Sequence, residues 1–145
     1  GTVSLLTPEL KFTDVEIVYN FMEGPVFINS DKQLLEQVFV NFISNAVYAV
    51  KEKGGKRGRI TLETFLDDSG DSTMVEINIS DTGVGISRKD QKNIYEYFYT
   101  IKPPGKGTGL GLPISRNIIK NLGGSLSLES EPGEGTTFTV RLPVS

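Results

Sequence analysis

The sequence contains no histidine and no cysteine. Without histidine, any chemistry that needs an imidazole as base, nucleophile, phosphoacceptor or metal ligand must take place elsewhere. Without cysteine, disulfides and thiolate chemistry are excluded, and the redox compartment is not constrained. No apolar run approaches the length of a membrane span or forms a signal peptide, so we expect no direct membrane contact from this chain.

Size and composition indicate one globular domain. The chain has 145 residues, of which 37% are hydrophobic and 23% charged, enough to form a real core. The net charge of −3 and the pI of about 5.0 give no argument for a nucleic-acid partner, and we expect none. The first residue is Gly1 rather than Met, so we expect an excised fragment. Within a single domain over 1–145, residues 1–14 are expected to be a loosely structured lead-in.

The first half of the chain carries two strand-like runs followed by a helix. The runs VEIVYNF and PVFIN predict a β-hairpin between Glu16 and Asn29. Ser30, with Gln33 three residues later, forms a capping box that predicts a helix running to about Lys51. The apolar stripe of this helix is expected to include Leu34, Val38, Phe42 and Val47.

The second half alternates between strands and helices. Hydrophobic patterning and turn residues predict strands over 60–66 and 74–80, a short helix over 87–95, a loop over 99–109, a helix over 110–122, and strands over 125–130 and 136–142. This order predicts the α+β class, as a two-layer α/β sandwich in which a mixed sheet is packed on a layer of helices.

A pair of asparagines is the first candidate for chemistry. Asn41 and Asn45 lie four residues apart on the predicted helix, so both amides point to one side. An amide oxygen is a neutral hard ligand suited to Mg²⁺. Asparagine is a poor residue for the middle of a helix, so two on one face need a reason. Taken alone, however, such a pair more often satisfies buried backbone groups than binds a ligand.

Three glycine-rich segments follow, over 81–86, 105–112 and 133–138. Glycines let backbone N–H groups approach phosphate closely. Asp81, between a strand and the first segment, can accept the exocyclic amine of adenine, although an ordinary turn aspartate is favoured for such a motif in isolation. Together with the asparagines, these segments suggest a nucleotide–Mg²⁺ site.

The second glycine segment is the strongest of the three. Its glycines at alternate positions precede a predicted helix, whose N-terminus can bind anions. Lys102 and Lys106 can add phosphate contacts as point charges. A flexible loop with solvated lysines is the less favoured alternative. The segment is neither a P-loop nor a dinucleotide fingerprint, because it lacks the spacing of the first and the preceding strand of the second.

Five segments in order, 37–46, 81–86, 95–100, 107–112 and 133–138, resemble the boxes of the ATP-binding catalytic domain of sensor histidine kinases. That domain belongs to the group shared with DNA gyrase B, Hsp90 and MutL. The resemblance covers about residues 25–143. Each box alone is a weak motif, whereas five in order are a strong signal. The resemblance implies a Bergerat-type ATP-binding fold.

The resemblance also implies an activity and partners. A chain of this kind binds ATP and Mg²⁺ and transfers the γ-phosphoryl group to a histidine on a separate dimerisation domain of the same parent protein. A response regulator receiver domain would follow as the next partner. The fragment itself is expected to be monomeric and cytoplasmic, and whether the parent is anchored in a membrane stays open.

By the same resemblance, Asn45 would hold Mg²⁺, Asp81 would bind the adenine amine directly and through a water shared with Thr136, and residues 99–109 would form a lid. Asn41 and Lys102 would act in catalysis by supporting the phosphates. The expected ATP-binding residues are Asn41, Asn45, Asp81, Gly83, Gly85, Ile86, Lys102, Lys106, Gly107, Thr108, Gly109, Leu110, Gly111, Leu112 and Thr136.

One position departs from the family pattern, and two alternative functions stay open. Many family members carry lysine where this chain has Tyr48, so the corresponding phosphate contact must be absent or come from elsewhere. An ATPase switch like the gyrase group is a second hypothesis, but those enzymes place glutamate where Asn41 stands, and an amide is a poor base. A serine kinase that doubles as a binding module, like the anti-sigma factors of this group, is the third.

Overall fold

The structure, a computed structural model, describes residues 2–4, 15–54, 58–102 and 109–145. Its strands are β1 (Thr2–Ser4), β2 (Val15–Asn20), β3 (Phe27–Asn29), β4 (Gly58–Asp67), β5 (Met74–Asp81), β6 (Ser125–Glu131) and β7 (Gly135–Pro143). Its helices are α1 (Lys32–Lys53), α2 (Arg88–Gln91) and α3 (Gly111–Asn121). None of the helices within these ranges combines the length and the apolar character needed to cross a membrane.

The main sheet is mixed, and helices cover one of its faces. Its five strands run in the order β2-β4-β5-β7-β6, with β2 parallel to β4 and the remaining neighbours antiparallel. Alternate residues of the central strands are buried against α1 and α3, as the cross-strand pair Ile79 and Phe138 illustrates. The residues between them are mostly polar and point the other way. The predicted α+β fold, with a mixed sheet on a helical layer, is confirmed.

The sequence placed the start of α1 one residue too early. Asp31, not Ser30, is the N-cap, and its Oδ1 accepts hydrogen bonds from the backbone N–H groups of Gln33 at 2.8 Å and Leu34 at 3.2 Å. A carboxylate satisfies the free N–H groups and also matches the helix dipole. Ser30 is buried instead, and its hydroxyl donates to the backbone oxygen of Asp31. The predicted capping box is therefore wrong, although the helix itself is confirmed.

The predicted apolar stripe of α1 is correct at three of its four positions. Val38, Phe42 and Val47 are buried, whereas Leu34 is 45% exposed. Leu35 takes its place in the core, three residues before Val38. That spacing continues the helical repeat of the buried residues further along, so Leu34 falls on the solvent side.

The predicted first hairpin is wrong. β2 pairs in parallel with β4, and β3 pairs with β1 in a separate two-stranded sheet. The chain leaving β2 continues beside β4, where the backbone N–H of Met22 donates to Thr64 Oγ1 at 2.8 Å. Hairpin prediction assumes that adjacent runs pair with each other, and here both runs find partners far along the chain. Residues 2–4, expected to be loosely structured, supply one of those partners.

The later elements follow the prediction more closely. The strand pair β4–β5, the helix α3 and the hairpin β6–β7 are confirmed to within about two residues at each end. The short helix is the exception, since α2 ends at Gln91 rather than near Tyr95. Ser87 is its N-cap, and the serine hydroxyl accepts a hydrogen bond from the backbone N–H of Asp90 at 3.2 Å. Shortly after it, the side-chain amide of Asn93 donates to the backbone oxygen of Lys89 at 3.2 Å, which competes with helical hydrogen bonding.

Candidate functional site

A cavity of about 320 Å³ lies between α1, α3 and the loop that follows β5. It brings together these predicted site residues: Asn41, Asn45, Asp81, Gly85, Ile86, Lys102, Gly109, Gly111, Leu112 and Thr136. Gly83 and Leu110 do not line it, and Lys106, Gly107 and Thr108 lie outside the described residues. Residues more than 60 positions apart in sequence thus converge on one concave site, which is how small-molecule sites are commonly built.

One part of the cavity wall is apolar. Its side chains come from the core on both layers of the fold: Phe42, Ala46, Ile79, Ile94 and Phe138. An aromatic base can pack against such a wall while a few polar groups at its edge fix its orientation.

Asp81 is the main polar group beside this apolar wall. It stands at the end of β5, directly opposite Thr136 of β7. Its Oδ1 accepts a hydrogen bond from the backbone N–H of Gly83 at 2.8 Å, which fixes the carboxylate at the start of the loop. Burial raises the pKa of Asp81, while hydrogen bonds from the backbone of Gly83 and Thr136 oppose the rise. Asp81 lines the cavity, so its carboxylate is a partly desolvated acceptor for a donor that enters it.

Ser130 supports the candidate site and was not predicted from the sequence. Its hydroxyl accepts from the backbone N–H of Ile86 at 2.8 Å, donates to the backbone oxygen of Gly135 at 3.0 Å, and shares a hydrogen bond with Thr136 Oγ1 at 2.8 Å. This serine therefore connects the loop after β5 to β7 beneath Asp81. No motif marks it, because β6 contains two other serines, Ser125 and Ser127, and no sequence pattern singles out Ser130 as a contact of the loop.

The glycines of the loop after β5 are required by close backbone contacts. Gly85 has φ +72°, and a Cβ there would collide with the backbone oxygen of Glu131. Gly83 lies against α1, where a Cβ would come within 2.6 Å of the backbone of Ala49. The observed contacts of Gly83 are thus with the protein itself. These positions let the loop pack between α1 and the turn that joins β6 to β7.

Asn41 ties α1 to the start of α3. Its Nδ2 donates to Ser115 Oγ at 3.1 Å and lies 3.4 Å from the backbone oxygen of Gly111. Ser115 is fully buried, so this contact is protected from water. The amide group of Asn41 therefore holds the N-terminal end of α3 at the cavity wall.

Asn45 faces a lysine. Its Oδ1 accepts a hydrogen bond from Lys102 Nζ at 3.1 Å, and the same ammonium lies 5.0 Å from the centre of the Tyr48 ring. Burial lowers the pKa of Lys102. The Lys102 ammonium thus contacts the same amide oxygen that the family resemblance assigns to Mg²⁺.

This arrangement fits a magnesium ion that keeps most of its ligands from outside the protein. Within the described parts of the chain, no cluster of three or more histidine, cysteine, aspartate or glutamate side chains could form a metal cage. Mg²⁺ is often held by one or two protein oxygens together with phosphates and waters. Asn45 Oδ1 can be such a ligand, since its surroundings accept a positive charge.

The two ends of the predicted lid are fastened together. The backbone N–H of Phe98 donates to the backbone oxygen of Gly109 at 2.9 Å. Gly109 has φ +71°, and its missing Cβ makes room for the backbone of Phe98. Next to this contact, the Tyr99 hydroxyl donates to the carboxylate of Asp90, which raises the pKa of Tyr99. Both ends of the 99–109 segment are therefore anchored beside the cavity.

The chain matches known proteins over most of its length. A family model described as histidine kinase-, DNA gyrase B-, and HSP90-like ATPase matches residues 30–145. Sensor histidine kinase GacS of Pseudomonas protegens is 32% identical over 148 residues, which cover 97% of this chain and 16% of GacS. Signal transduction histidine-protein kinase AtoS of Escherichia coli is 42% identical over 118 residues, which cover 81% of this chain and 18% of AtoS.

A solved structure shows the same fold. Full-length ShkA in complex with AMPPNP matches with a TM-score of 0.72 and 27% sequence identity, over 90% of this chain and 26% of that one. The family match includes both asparagines of α1, Asp81 and the glycine segments that surround the cavity. The chain therefore belongs to the histidine kinase-, DNA gyrase B- and HSP90-like ATPase family, as an ATP-binding catalytic domain of the histidine kinase type.

Proposed function

We propose that this chain binds ATP with Mg²⁺ in the cavity beside Asp81 and transfers the γ-phosphoryl group to a histidine on another domain. The observation that carries the proposal is that Asp81, Asn45 and Lys102, predicted to bind the adenine amine, Mg²⁺ and the phosphates respectively, line one cavity. The chain contains no histidine, so the acceptor must be supplied by a separate domain of the parent protein.

The adenine base is assigned to the apolar wall, with its exocyclic amine donating to Asp81. The ionised carboxylate accepts this hydrogen bond, and Ser130 and Thr136 keep the strand beneath it in place. Thr136 lies directly opposite Asp81 where β5 pairs with β7, so the two side chains can share a bridging water. Guanine carries an oxygen where adenine carries this amine, so the site should discriminate against GTP.

The phosphates are assigned to the end of the cavity that contains Asn45 and Lys102. Mg²⁺, when bound, would neutralise phosphate charge, and Asn45 Oδ1 is the residue that would hold it. Lys102 contributes a positive charge at the same end, and Asn41 keeps the start of α3 in position. Residues 99–109 are proposed to close over the phosphates as a lid.

The chemical demands on the protein are modest. An acceptor imidazole is itself the nucleophile, so no strong base is required from this chain. The protein supplies positioning and charge neutralisation, which dominate catalysis of phosphoryl transfer. The side chain of Asn41 is an amide, which is too weak a base to activate water, and this argues against the ATPase alternative.

Two partners are proposed, because this chain binds the nucleotide while another domain carries the acceptor histidine. The first is a histidine-bearing dimerisation domain of the same parent protein, and the second is a response regulator receiver domain that takes the phosphoryl group onward. The matched relatives are named as sensor histidine kinases, and this chain spans 16% of GacS and 18% of AtoS. We propose a cytoplasmic location and a monomeric state for the chain itself.

Radiolabelled ATP tests the proposed transfer. The chain alone with Mg²⁺ and γ-labelled ATP should release phosphate negligibly and acquire no acid-labile label. Mixed with the separately produced histidine-bearing domain of its parent, it should label that domain on histidine. Rapid phosphate release by the chain alone would support the ATPase reading instead. Stable label on serine of a partner would support the serine kinase reading.

Asn45→Asp should lower this transfer by about tenfold or more, equivalent to about 1.4 kcal/mol of barrier. A carboxylate keeps an oxygen ligand but places a negative charge beside the phosphates, and it would form an ion pair with Lys102, now 3.1 Å from Asn45 Oδ1. Asn78→Asp is the matched control, because it adds the same charge on the opposite face of the sheet, where Asn78 Oδ1 accepts from Thr139. Equal transfer rates for the two variants would contradict the role of Asn45.

A further inference from the structure

Tyr48 occupies a position that the proposed function leaves unexplained. It lies on α1 three residues after Asn45, and its side chain lines the same cavity. The Lys102 ammonium lies over its ring, 5.0 Å from the ring centre, and 3.1 Å from Asn45 Oδ1. The lysine comes from a segment 57 residues away in the chain, so this contact joins α1 to the start of the 99–109 loop.

The ring face, rather than the hydroxyl, is the part of Tyr48 that makes this contact. An aromatic face attracts an ammonium ion through its quadrupole, most strongly where the ion has lost part of its hydration. Lys102 is half-buried and fits that condition. Within the described residues, the hydroxyl of Tyr48 forms no hydrogen bond that would give it a separate role. Phenylalanine should therefore replace tyrosine here with little loss.

The contact with the Tyr48 ring becomes more important for the position of Lys102 when Asn45 no longer accepts its hydrogen bond. If a metal ion binds Asn45 Oδ1, the like charges of the metal and the ammonium repel each other at that distance, so the lysine contact with this oxygen is weakened. The ring of Tyr48 is then the described contact that still holds the ammonium at this end of the cavity. A lysine on a flexible stem would otherwise sample many rotamers in water.

We propose that Tyr48 is a positioning residue: its ring holds the Lys102 ammonium against the phosphate end of the nucleotide cavity. This inference rests on the proposed binding of Mg-ATP. With Tyr48 in this role, no lysine is needed at position 48. The ammonium of Lys102, at the start of the 99–109 loop, places a positive charge beside the same turn of α1.

A double-mutant cycle on this chain tests the inference. The affinity for ATP with Mg²⁺ is measured calorimetrically for the unchanged chain, Tyr48→Leu, Lys102→Met and the double variant. Tyr48→Leu should weaken ATP about threefold to tenfold, and Lys102→Met about tenfold. The double variant should be no weaker than Lys102→Met, because the ring acts only through the lysine. Tyr48→Phe should stay within about twofold of the unchanged chain.

Two further measurements distinguish a role of Tyr48 in positioning Lys102 from a general role in the structure. Adenosine, which carries no phosphate, should bind all variants equally. Phe65→Leu, at an aromatic side chain of β4 that is 47% exposed and lies outside the cavity, should leave ATP affinity unchanged. Thermal unfolding verifies that each variant is folded, and Tyr48→Gln replaces Tyr48→Leu if that variant does not fold.

The possible results are distinct. Additive losses in the double variant, or a loss of adenosine binding equal to that of ATP in Tyr48→Leu, would overturn the positioning role while leaving ATP binding intact. Failure of the unchanged chain to bind ATP at all would overturn the proposed function and this inference together. A non-additive cycle with rescue by Tyr48→Phe is the result that we expect.

Discussion

Asp81→Asn is expected to weaken ATP binding by about 1.5–3 kcal/mol, the scale of a hydrogen bond to a charged group. That free energy corresponds to roughly a 10- to 150-fold rise in Kd. Asparagine keeps an oxygen that can accept from the backbone N–H of Gly83, so the loop geometry should survive. What it loses is the negative charge aimed at the adenine amine. Calorimetric titration with ATP measures the difference, and equal affinities would contradict the role of Asp81.

The same substitution should not cost stability. Burial raises the folded-state pKa of Asp81, so the folded protein holds the proton more tightly than the unfolded chain does. The stability associated with this proton is present at low pH and is lost as the pH rises through the folded pKa. At neutral pH the ionised carboxylate therefore opposes folding, and asparagine removes that cost. Thermal unfolding at pH 7 should give a Tm for Asp81→Asn equal to or above that of the unchanged chain.

Gly85→Ala is expected to be strongly destabilising, by about 3 kcal/mol or more. Part of this is the cost of a left-handed backbone for a residue with a side chain, about 1–2 kcal/mol. The rest arises because the new Cβ meets the backbone oxygen of Glu131, which cannot move without distorting the end of β6. Denaturant unfolding measures the change, and ATP affinity should fall because Gly85 also lines the cavity.

Gly133→Ala separates these two contributions. Gly133 has φ +83°, close to the φ of +72° at Gly85, but a Cβ at Gly133 would meet no atom within 4 Å. It should therefore cost only the conformational part, about 1–2 kcal/mol. If Gly85→Ala destabilised the chain no more than Gly133→Ala, the close contact with the end of β6 would not be a determinant of the fold.

Local sequence signals predicted the elements that are local in space. The antiparallel pair β4–β5, the hairpin β6–β7 and α3 were recoverable because patterning and turn residues act between near neighbours. The partners of β2 and β3 were not, since their pairing is decided by strands distant in the chain. The N-cap of α1 was predicted at the wrong residue because Ser30 and Asp31 are adjacent and either side chain can cap a helix. The negative charge of Asp31 also interacts favourably with the helix dipole, and Asp31 is the cap observed.

The residues of the candidate site also fall into those that sequence motifs indicated and those that only the structure reveals. Asn41, Asn45 and Asp81 were found because their motifs recur in a known order, and the structure places all three around one cavity. Ser130 was not found, since a serine on an edge strand carries no signal until its neighbours in space are known. The contact between Tyr48 and Lys102 was equally hidden, because it joins a helix to a loop across 54 residues of sequence.

The most direct test of the account is a calorimetric titration of the unchanged chain with ATP and with GTP, each with and without Mg²⁺. We expect saturable binding of ATP that Mg²⁺ strengthens, and much weaker binding of GTP, since guanine presents an oxygen to Asp81 in place of an amine. Equal affinity for the two nucleotides would contradict the assignment of Asp81. Absence of binding for both at millimolar concentration would contradict the central claim that this cavity is an ATP site.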